Sequence, residues 1–94
     1  MTVAELKRRV AATDTLTITN LFMPDGHVLR GPMPREVVRT SGSSFSLRLP
    51  DNHENAGDDS RIGWPKAAEL TVNGTDVHIE RHGRPFLIVH DLAA

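Results

Sequence analysis

The side chains best able to do acid–base or metal chemistry in this chain are its five histidines, and their positions oppose a shared site. A metal centre or catalytic pair needs imidazoles that converge on one point together with carboxylates or other ligands. The strand register predicted below places His78 and His90 on opposite faces of adjacent strands, and His53 falls in an acidic loop. The absence of cysteine also removes thiolate ligands and disulfides. The sequence therefore predicts no metal site and no cofactor.

Signatures of nucleophilic, phosphate and calcium chemistry are also missing from the sequence. Serines cluster around Gly42, but no Gly-x-Ser-x-Gly elbow or glycine-rich phosphate loop accompanies them. The acidic stretch at residues 51–59 does not place oxygen ligands and glycine at the offsets of a calcium-binding EF-hand loop. We therefore expect no catalytic residues, and a function in binding rather than catalysis.

Arginine dominates the basic side chains, accounting for nine of the eleven. It suits bidentate contact with phosphate or carboxylate, although a genome of high GC content also favours it. A predicted hairpin tip carries Arg81, His82 and Arg84, which with Arg48 form a candidate nucleic-acid contact. The formal net charge is only −1, and aromatic residues make up only 4% of the chain. Nucleic acid is therefore the alternative partner and not the first choice.

A protein partner is the leading hypothesis, and five residues are its candidate contacts. Leu87 and Val89 fall on the nominal outer face of the last predicted strand, where they are either buried internally or exposed to a partner. Trp64 is either a core anchor where the chain re-enters the sheet or an exposed binding contact. Asp58 and Asp59 lie in an acidic loop that could dock on a basic surface.

The element that opens the chain is predicted to be a helix at residues 3–12. Thr2 and Glu5 have the spacing of a capping box, in which the Thr hydroxyl accepts from the third helical amide. Val3, Leu6 and Val10 recur at helical spacing and form one apolar stripe. This helix is expected to cover one face of a sheet.

Strand patterns occupy most of the remaining chain. Alternating β-branched residues predict a strand at residues 15–22, and alternation of apolar with polar residues predicts one at 44–49. Further strands are expected at 27–30, after a proline–glycine turn at 24–26, and at 35–40. Two prolines oppose a regular ladder at residues 31–34, which we expect to be an extended crossing or a sheet edge. Residues 50–60 are predicted to form an exposed acidic loop.

A three-stranded meander is predicted from Ala68 to Val89, because Asn73-Gly74 and His82-Gly83 are both tight-turn signals. The two turns define one register. It pairs Val72 with Thr75, Leu70 with Val77, Ala68 with Ile79, Arg81 with Arg84, Ile79 with Phe86 and Val77 with Ile88.

Together these patterns predict one α+β domain over residues 1–94. An N-terminal helix packs on a mainly antiparallel sheet of about five to six short strands that ends in the meander. A hydrophobic fraction of 38% with 24% charged residues is ordinary for a globular chain. No apolar run resembles a signal peptide or a membrane span, so we expect a cytoplasmic protein of a bacterial host cell.

The small size, the arginine content and the acidic loop are typical of accessory proteins of phages and mobile elements. We therefore expect a non-enzymatic inhibitor or adaptor that occludes a partner protein and possesses a surface for homodimerisation. The alternatives are a nucleic-acid-binding regulator that uses the Arg81–Arg84 hairpin and a small structural virion component, which would assemble into rings or higher oligomers.

Overall fold

A computed structural model describes residues 1–21, 30–51 and 55–94. The turn predicted at 24–26, most of the strand predicted at 27–30, and His53 lie outside them. The elements in chain order are helix α1 (Val3–Ala11), strands β1 (Thr15–Asn20), β2 (Met33–Thr40), β3 (Ser44–Arg48) and β4 (Asp59–Gly63), a 3-10 turn (Ala67–Glu69), and strands β5 (Leu70–Asn73), β6 (Asp76–Arg81) and β7 (Arg84–His90).

The described strands form one antiparallel sheet in the order β4-β3-β2-β1-β7-β6-β5. The α+β class is confirmed, but the described residues contain seven strands and not five to six. Strand β4 was not predicted, because its first residues, Asp59 and Ser60, belong to the acidic stretch. Its one large apolar residue, Ile62, lies opposite Phe45 of β3 and is buried. One such contact on a short strand leaves little periodic signal in the sequence.

The helix forms much as its sequence predicts. The Thr2 hydroxyl accepts a hydrogen bond from the Glu5 backbone N–H at 3.1 Å, so one of the otherwise unpaired N-terminal donors is satisfied. The helix ends at Ala11, one residue before the predicted end. Leu6 and Val10 are fully buried and belong to the core cluster, so the apolar stripe faces the sheet.

The core lies between α1 and one face of the sheet. Every strand from β1 to β7 except β2 and β5 contributes fully buried or nearly buried apolar side chains to this face. These are Leu16, Ile18, Phe45, Leu47, Ile62, Val77, Ile79, Leu87 and Val89. The opposite face has no helix over it among the described residues.

The sheet must be strongly curved, because β4 and β5 occupy its opposite edges but are joined by a short connection. A flat sheet of seven strands would separate its edges by roughly 29 Å. The seven residue steps from Gly63 to Leu70 span at most about 25 Å when extended, and they include a 3-10 turn. A side chain of β6 crosses the remaining gap, since the Arg81 guanidinium donates to the Gly63 carbonyl at the end of β4.

The turn of the first hairpin lies one residue further along the chain than predicted, which shifts the pairing of β6 with β5 by two residues. Asn73 pairs with Asp76 and Leu70 with Ile79, so the turn residues are Gly74 and Thr75, not Asn73 and Gly74. Gly74 has φ of 65° at the first central position, which is where a type II′ turn requires glycine. Because the shift is even, the side chains keep their predicted faces.

The second hairpin begins as predicted and then departs from the predicted register by one residue. Arg81 pairs with Arg84, but beyond it Glu80 pairs with Pro85 and Ile79 with Leu87, which leaves Phe86 as the extra residue of a β-bulge. A shift of one residue reverses the faces of the rest of a strand.

The predicted outer-face position of Leu87 and Val89 is therefore wrong. Both side chains are buried, with exposures of 0%, in the core between the sheet and α1. Of the two interpretations of these residues, internal burial is the correct one. The half-buried Ile88 takes the outward position instead.

The proline segment is also more regular than expected. Met33 pairs with Ile18 and Pro34 with Thr17, so both residues belong to the ladder of β2 with β1. Proline is tolerated here because β3 pairs with β2 only from Val37 onward, so that edge of β2 needs no donor at Pro34.

We predict that Leu87→Ala lowers the free energy of unfolding by about 2–5 kcal/mol, because it leaves a cavity in a closed core. Val72→Ala is the matched control, since Val72 lies on the edge strand β5 and is 38% exposed. It should change stability by no more than about 0.5 kcal/mol. Urea unfolding followed by circular dichroism measures both, and equal effects would contradict the assignment of Leu87 to the core.

Candidate functional site

The tip of the β6–β7 hairpin is a rigid platform. His82 and Gly83 have φ of 53° and 74°, so both central residues are left-handed as in a type I′ turn. The turn sets Arg81 opposite Arg84, as predicted from the sequence. The backbone at this tip is therefore fixed by a defined turn type.

Arg81 is held in place by three different groups. Its guanidinium donates to the Gly63 carbonyl, lies 3.5 Å from Oε1 of Glu69, and covers the Phe86 ring with 5.3 Å to the centroid. Glu69 is fixed in turn, because its Oε1 accepts the Lys66 backbone N–H at 2.9 Å. Arg81 is therefore a structural bridge between three segments and not a free cation.

The pKa of Glu69 lies below its ordinary value. The Lys66 backbone hydrogen bond is the main cause, and the charges of Arg81, Lys66 and His82 lower it further against an opposing effect of burial. Glu69 is therefore ionised at neutral pH, and its carboxylate interacts electrostatically with the basic side chains around it.

Two adjoining depressions are both lined by Arg81 and His82. We refer to the two depressions together as the tip site. The first, of about 330 Å³, is lined by these two residues with Arg84, Pro85 and Phe86. The second, of about 430 Å³, continues over Gly63, Trp64, Lys66, Glu69 and Gly83. The first has mainly apolar walls and the second mixed ones, so the tip site joins an aromatic floor to a polar rim.

The rim of the tip site carries exposed basic side chains. Lys66, His82 and Arg84 are exposed, and no ion pair joins them to an acid among the described residues. The acids at this end are Glu69, which Arg81 and Lys66 already contact, and the exposed Glu80. The arrangement can attract a carboxylate or phosphate to the rim while an apolar group enters the first depression.

Trp64 contributes to both the core and the tip site. Its ring packs 4.7 Å from Phe45, its indole N–H donates to the Ser41 carbonyl at 2.8 Å, and Lys7 lies 5.9 Å from its centroid. Trp64 is half-buried against the core. Its interpretation as an anchor is confirmed, while the part that lines the second depression remains open to a partner.

The other predicted contacts lie away from the tip site. Asp59 begins β4 and forms an ion pair with Arg39 at 3.7 Å, whereas Gly63 at the tip site ends that strand. Asp58 is exposed in the preceding turn. Arg48 lies opposite Asp59 in the ladder and is occupied by Glu36 at 3.0 Å and by the Gly57 carbonyl at 2.7 Å. Arg48 is therefore not part of a surface shared with Arg81 and Arg84.

The helix-free face of the sheet carries a second polar cluster that the sequence did not predict. Thr19 Oγ1 lies 2.7 Å from Nε2 of His90, and Nδ1 of His90 lies 3.4 Å from Oδ2 of Asp76. His78 shares this face, so the prediction that His78 and His90 occupy opposite faces is wrong. The bulge at Phe86 is the physical cause, because it moves His90 to the side of His78.

One sequence signal pointed to the bulge. Proline inside a strand is found mainly at sheet edges and bulges, and Pro85 directly precedes the extra residue. A register drawn from the turn alone does not include this signal.

Asp76 is the fixed end of the second cluster. Its Oδ1 accepts the Asp91 backbone N–H at 3.0 Å, and this hydrogen bond is the main reason why the pKa of Asp76 is below its ordinary value. Burial opposes the shift, and the charges of His90 and His78 support it.

Neither cluster has the composition of a metal centre. Within residues 1–21, 30–51 and 55–94, no group of three or more His, Asp or Glu side chains is arranged to hold a metal ion. Nor is any helix in those ranges long and apolar enough to cross a membrane. Comparison of the chain with protein-family models, curated proteins and solved structures found no match.

We predict that Asp76 makes the stability of the domain depend on pH in the acid range. Because its folded pKa is lowered, its contribution is present above the unfolded value of about 3.9 and is lost as pH falls through the folded pKa. Asp76→Asn should therefore destabilise the protein at neutral pH and flatten the acid side of the stability curve. Urea midpoints measured from neutral pH to about pH 2 test this. A variant curve parallel to that of the wild type would contradict it.

Proposed function

We propose that this chain is a small non-enzymatic protein-binding module that acts by occluding a partner protein, and that the tip site is its contact surface. The observation that carries the proposal is the pair of adjoining depressions, whose aromatic floor is rimmed by exposed basic side chains that form no ion pair within the described residues. Aromatic and arginine side chains in pre-formed pockets are the residues that dominate protein–protein binding energy.

The rigidity of the tip supports this choice of surface. Arg81 is fixed by Gly63, Glu69 and Phe86, and the turn at His82-Gly83 has a defined conformation. A pre-ordered surface loses little conformational entropy on binding, and this improves affinity without new contacts.

The charge of the rim indicates the partner. Lys66, His82 and Arg84 favour an acidic segment, and the Phe86 and Pro85 walls favour an apolar side chain within it. The proposed ligand is therefore an acidic peptide segment of another protein with an apolar anchor. Leu87 and Val89 are core residues and take no part in this contact, and Asp58 and Asp59 lie away from the tip site, with Asp59 paired to Arg39.

The biological setting remains part of the proposal. The small size and arginine-rich composition support an accessory protein of a phage or mobile element, acting as inhibitor or adaptor in the bacterial cytoplasm. Homodimerisation is a further proposal, for which the edge strand β5 with its exposed Val72 is the available surface.

Nucleic acid is the second candidate partner, and the exposure of His82 and Arg84 is the observation that favours it. Two of the four arginine and histidine contacts predicted for it, Arg81 and Arg48, are occupied by contacts within the chain. A phosphate backbone would therefore meet fewer free cations than the sequence indicated, which ranks this candidate second.

We predict that Lys66→Ala/Arg84→Ala weakens binding of an acidic, leucine-containing peptide by about tenfold, since each charge-assisted contact is worth about 1.5–3 kcal/mol when buried and less at a rim. Fluorescence polarisation with a labelled peptide of alternating glutamate and leucine measures this. Arg8→Ala/Arg39→Ala is the matched control, because both arginines are exposed and neither lines the tip site, Arg39 being paired with Asp59 at the other end of β4.

Two further arms separate the candidates. A peptide of alternating lysine and leucine should bind weakly, and a single-stranded oligonucleotide should bind no tighter than the acidic peptide. Tighter, strongly salt-dependent oligonucleotide binding that Arg81→Ala/Arg84→Ala abolishes would replace the protein-partner proposal with the nucleic-acid one. Equal loss in the tip and control variants would exclude the tip site as the contact.

A further inference from the structure

The cluster of Thr19, His90 and Asp76 on the helix-free face takes no part in the proposed partner contact. It places a hydroxyl 2.7 Å from an imidazole nitrogen, whose second nitrogen lies 3.4 Å from a carboxylate. A weak hydroxyl nucleophile is activated by an adjacent base that a third group orients. We propose that Thr19 is an acyl-acceptor site that reacts with activated carboxylic esters.

The carboxylate determines which imidazole nitrogen can act as the base. Asp76 has a lowered pKa and is an anion at neutral pH. An anion beside Nδ1 of His90 favours the tautomer with the proton on Nδ1, and this leaves the Nε2 lone pair directed at the Thr19 hydroxyl. In the resting state the Thr19 hydroxyl therefore donates a hydrogen bond to Nε2 of His90.

The three side chains are held by adjacent central strands. Thr19 lies on β1, His90 on β7 and Asp76 on β6, and the bulge at Phe86 lies toward the other end of the pairing of β6 with β7. Beyond β7, Asp91 has φ of 60°, a left-handed conformation that Asp adopts more readily than most residues do. In that conformation its N–H donates to Asp76 and its carboxylate accepts from the Thr75 hydroxyl at 3.1 Å. The backbone that follows β7 therefore holds the Asp76 carboxylate in place.

The reaction is a single acyl transfer. Thr19 Oγ1 attacks the ester carbonyl carbon as its proton passes to Nε2 of His90. The bond between that carbon and the leaving oxygen then breaks, and the proton passes from Nε2 to the leaving oxygen. The products are a threonine ester on the protein and a free alcohol, and no oxidant or reductant is needed.

The surroundings of Thr19 restrict the donor to esters with a good leaving group. The backbone N–H groups that follow it, those of Asn20 and Leu21, donate to the carbonyls of Arg30 and Phe86, so they do not stabilise a developing oxyanion. The cavities described above lie at the hairpin tip and not beside Thr19. We therefore expect one slow acylation per chain and no turnover.

The test treats the full chain with limiting p-nitrophenyl acetate and locates the acetyl group by peptide mass spectrometry. Thr19 should be the main acetylated position in the wild type. His90→Gln should slow acetylation of Thr19 by about 100-fold or more, in keeping with the usual contribution of a general base. Asp76→Asn should slow it less, because the imidazole remains and only its orientation is lost.

Matched variants make the outcome decisive. Thr17→Val is the control, since Thr17 is on the same strand and face and pairs with His90 without the hydroxyl contact. Thr17→Val should leave the rate of acetylation at Thr19 unchanged. Thr19→Val should remove the modification, and Thr19→Ser should retain it. Circular dichroism of each variant checks folding. The proposal would be overturned if acetyl groups were found only on His90 or lysine. It would also be overturned if Thr19→Val incorporated acetyl groups at the same total rate as the wild type.

Discussion

One extra residue in β7, Phe86, determines how the second half of the domain is organised. The bulge keeps Arg81 opposite Arg84 at the turn but moves every later residue of β7 by one position relative to β6. Leu87 and Val89 then complete the core beneath α1, and His90 joins Asp76 on the other face. Phe86 lies under the Arg81 guanidinium and forms a wall of the tip site. Core, tip site and outer cluster all depend on this one irregularity.

A second constraint is the curvature that brings β4 close to β6. The short connection from β4 to β5 cannot cross a flat sheet, and Arg81 joins the end of β4 to the hairpin through the Gly63 carbonyl. Curving the sheet also surrounds the nine-residue helix α1 with apolar side chains from both halves of the sheet. A chain of this size thereby closes a core although the described residues include only one α-helix.

The sequence was informative wherever a local rule decides the structure. The Thr2 cap, the Leu6 and Val10 stripe and the left-handed pair at His82-Gly83 follow from capping, periodicity and turn chemistry alone. The sequence was misleading where strand pairing depends on contacts that are distant along the chain. The bulge is stabilised by burial of Leu87 and Val89, and the turn residues alone do not indicate which residues of β7 are buried. The site divides in the same way, because the basic tip was predicted while the contact of Thr19 with His90 requires β1 to pair with β7 across 71 residues.

The curvature of the sheet also explains why Arg81 differs in its role from Lys66 and Arg84, the other basic residues of the tip site. Arg81 links β6 to β4 and to the 3-10 turn, so its loss would change the shape of the tip and the stability of the fold together. Lys66 and Arg84 extend from the same framework without such links. A ligand that contacts Lys66 and Arg84 would bind a surface whose shape is maintained by other residues. The proposed role in binding can therefore be tested separately from folding at Lys66 and Arg84, but not at Arg81.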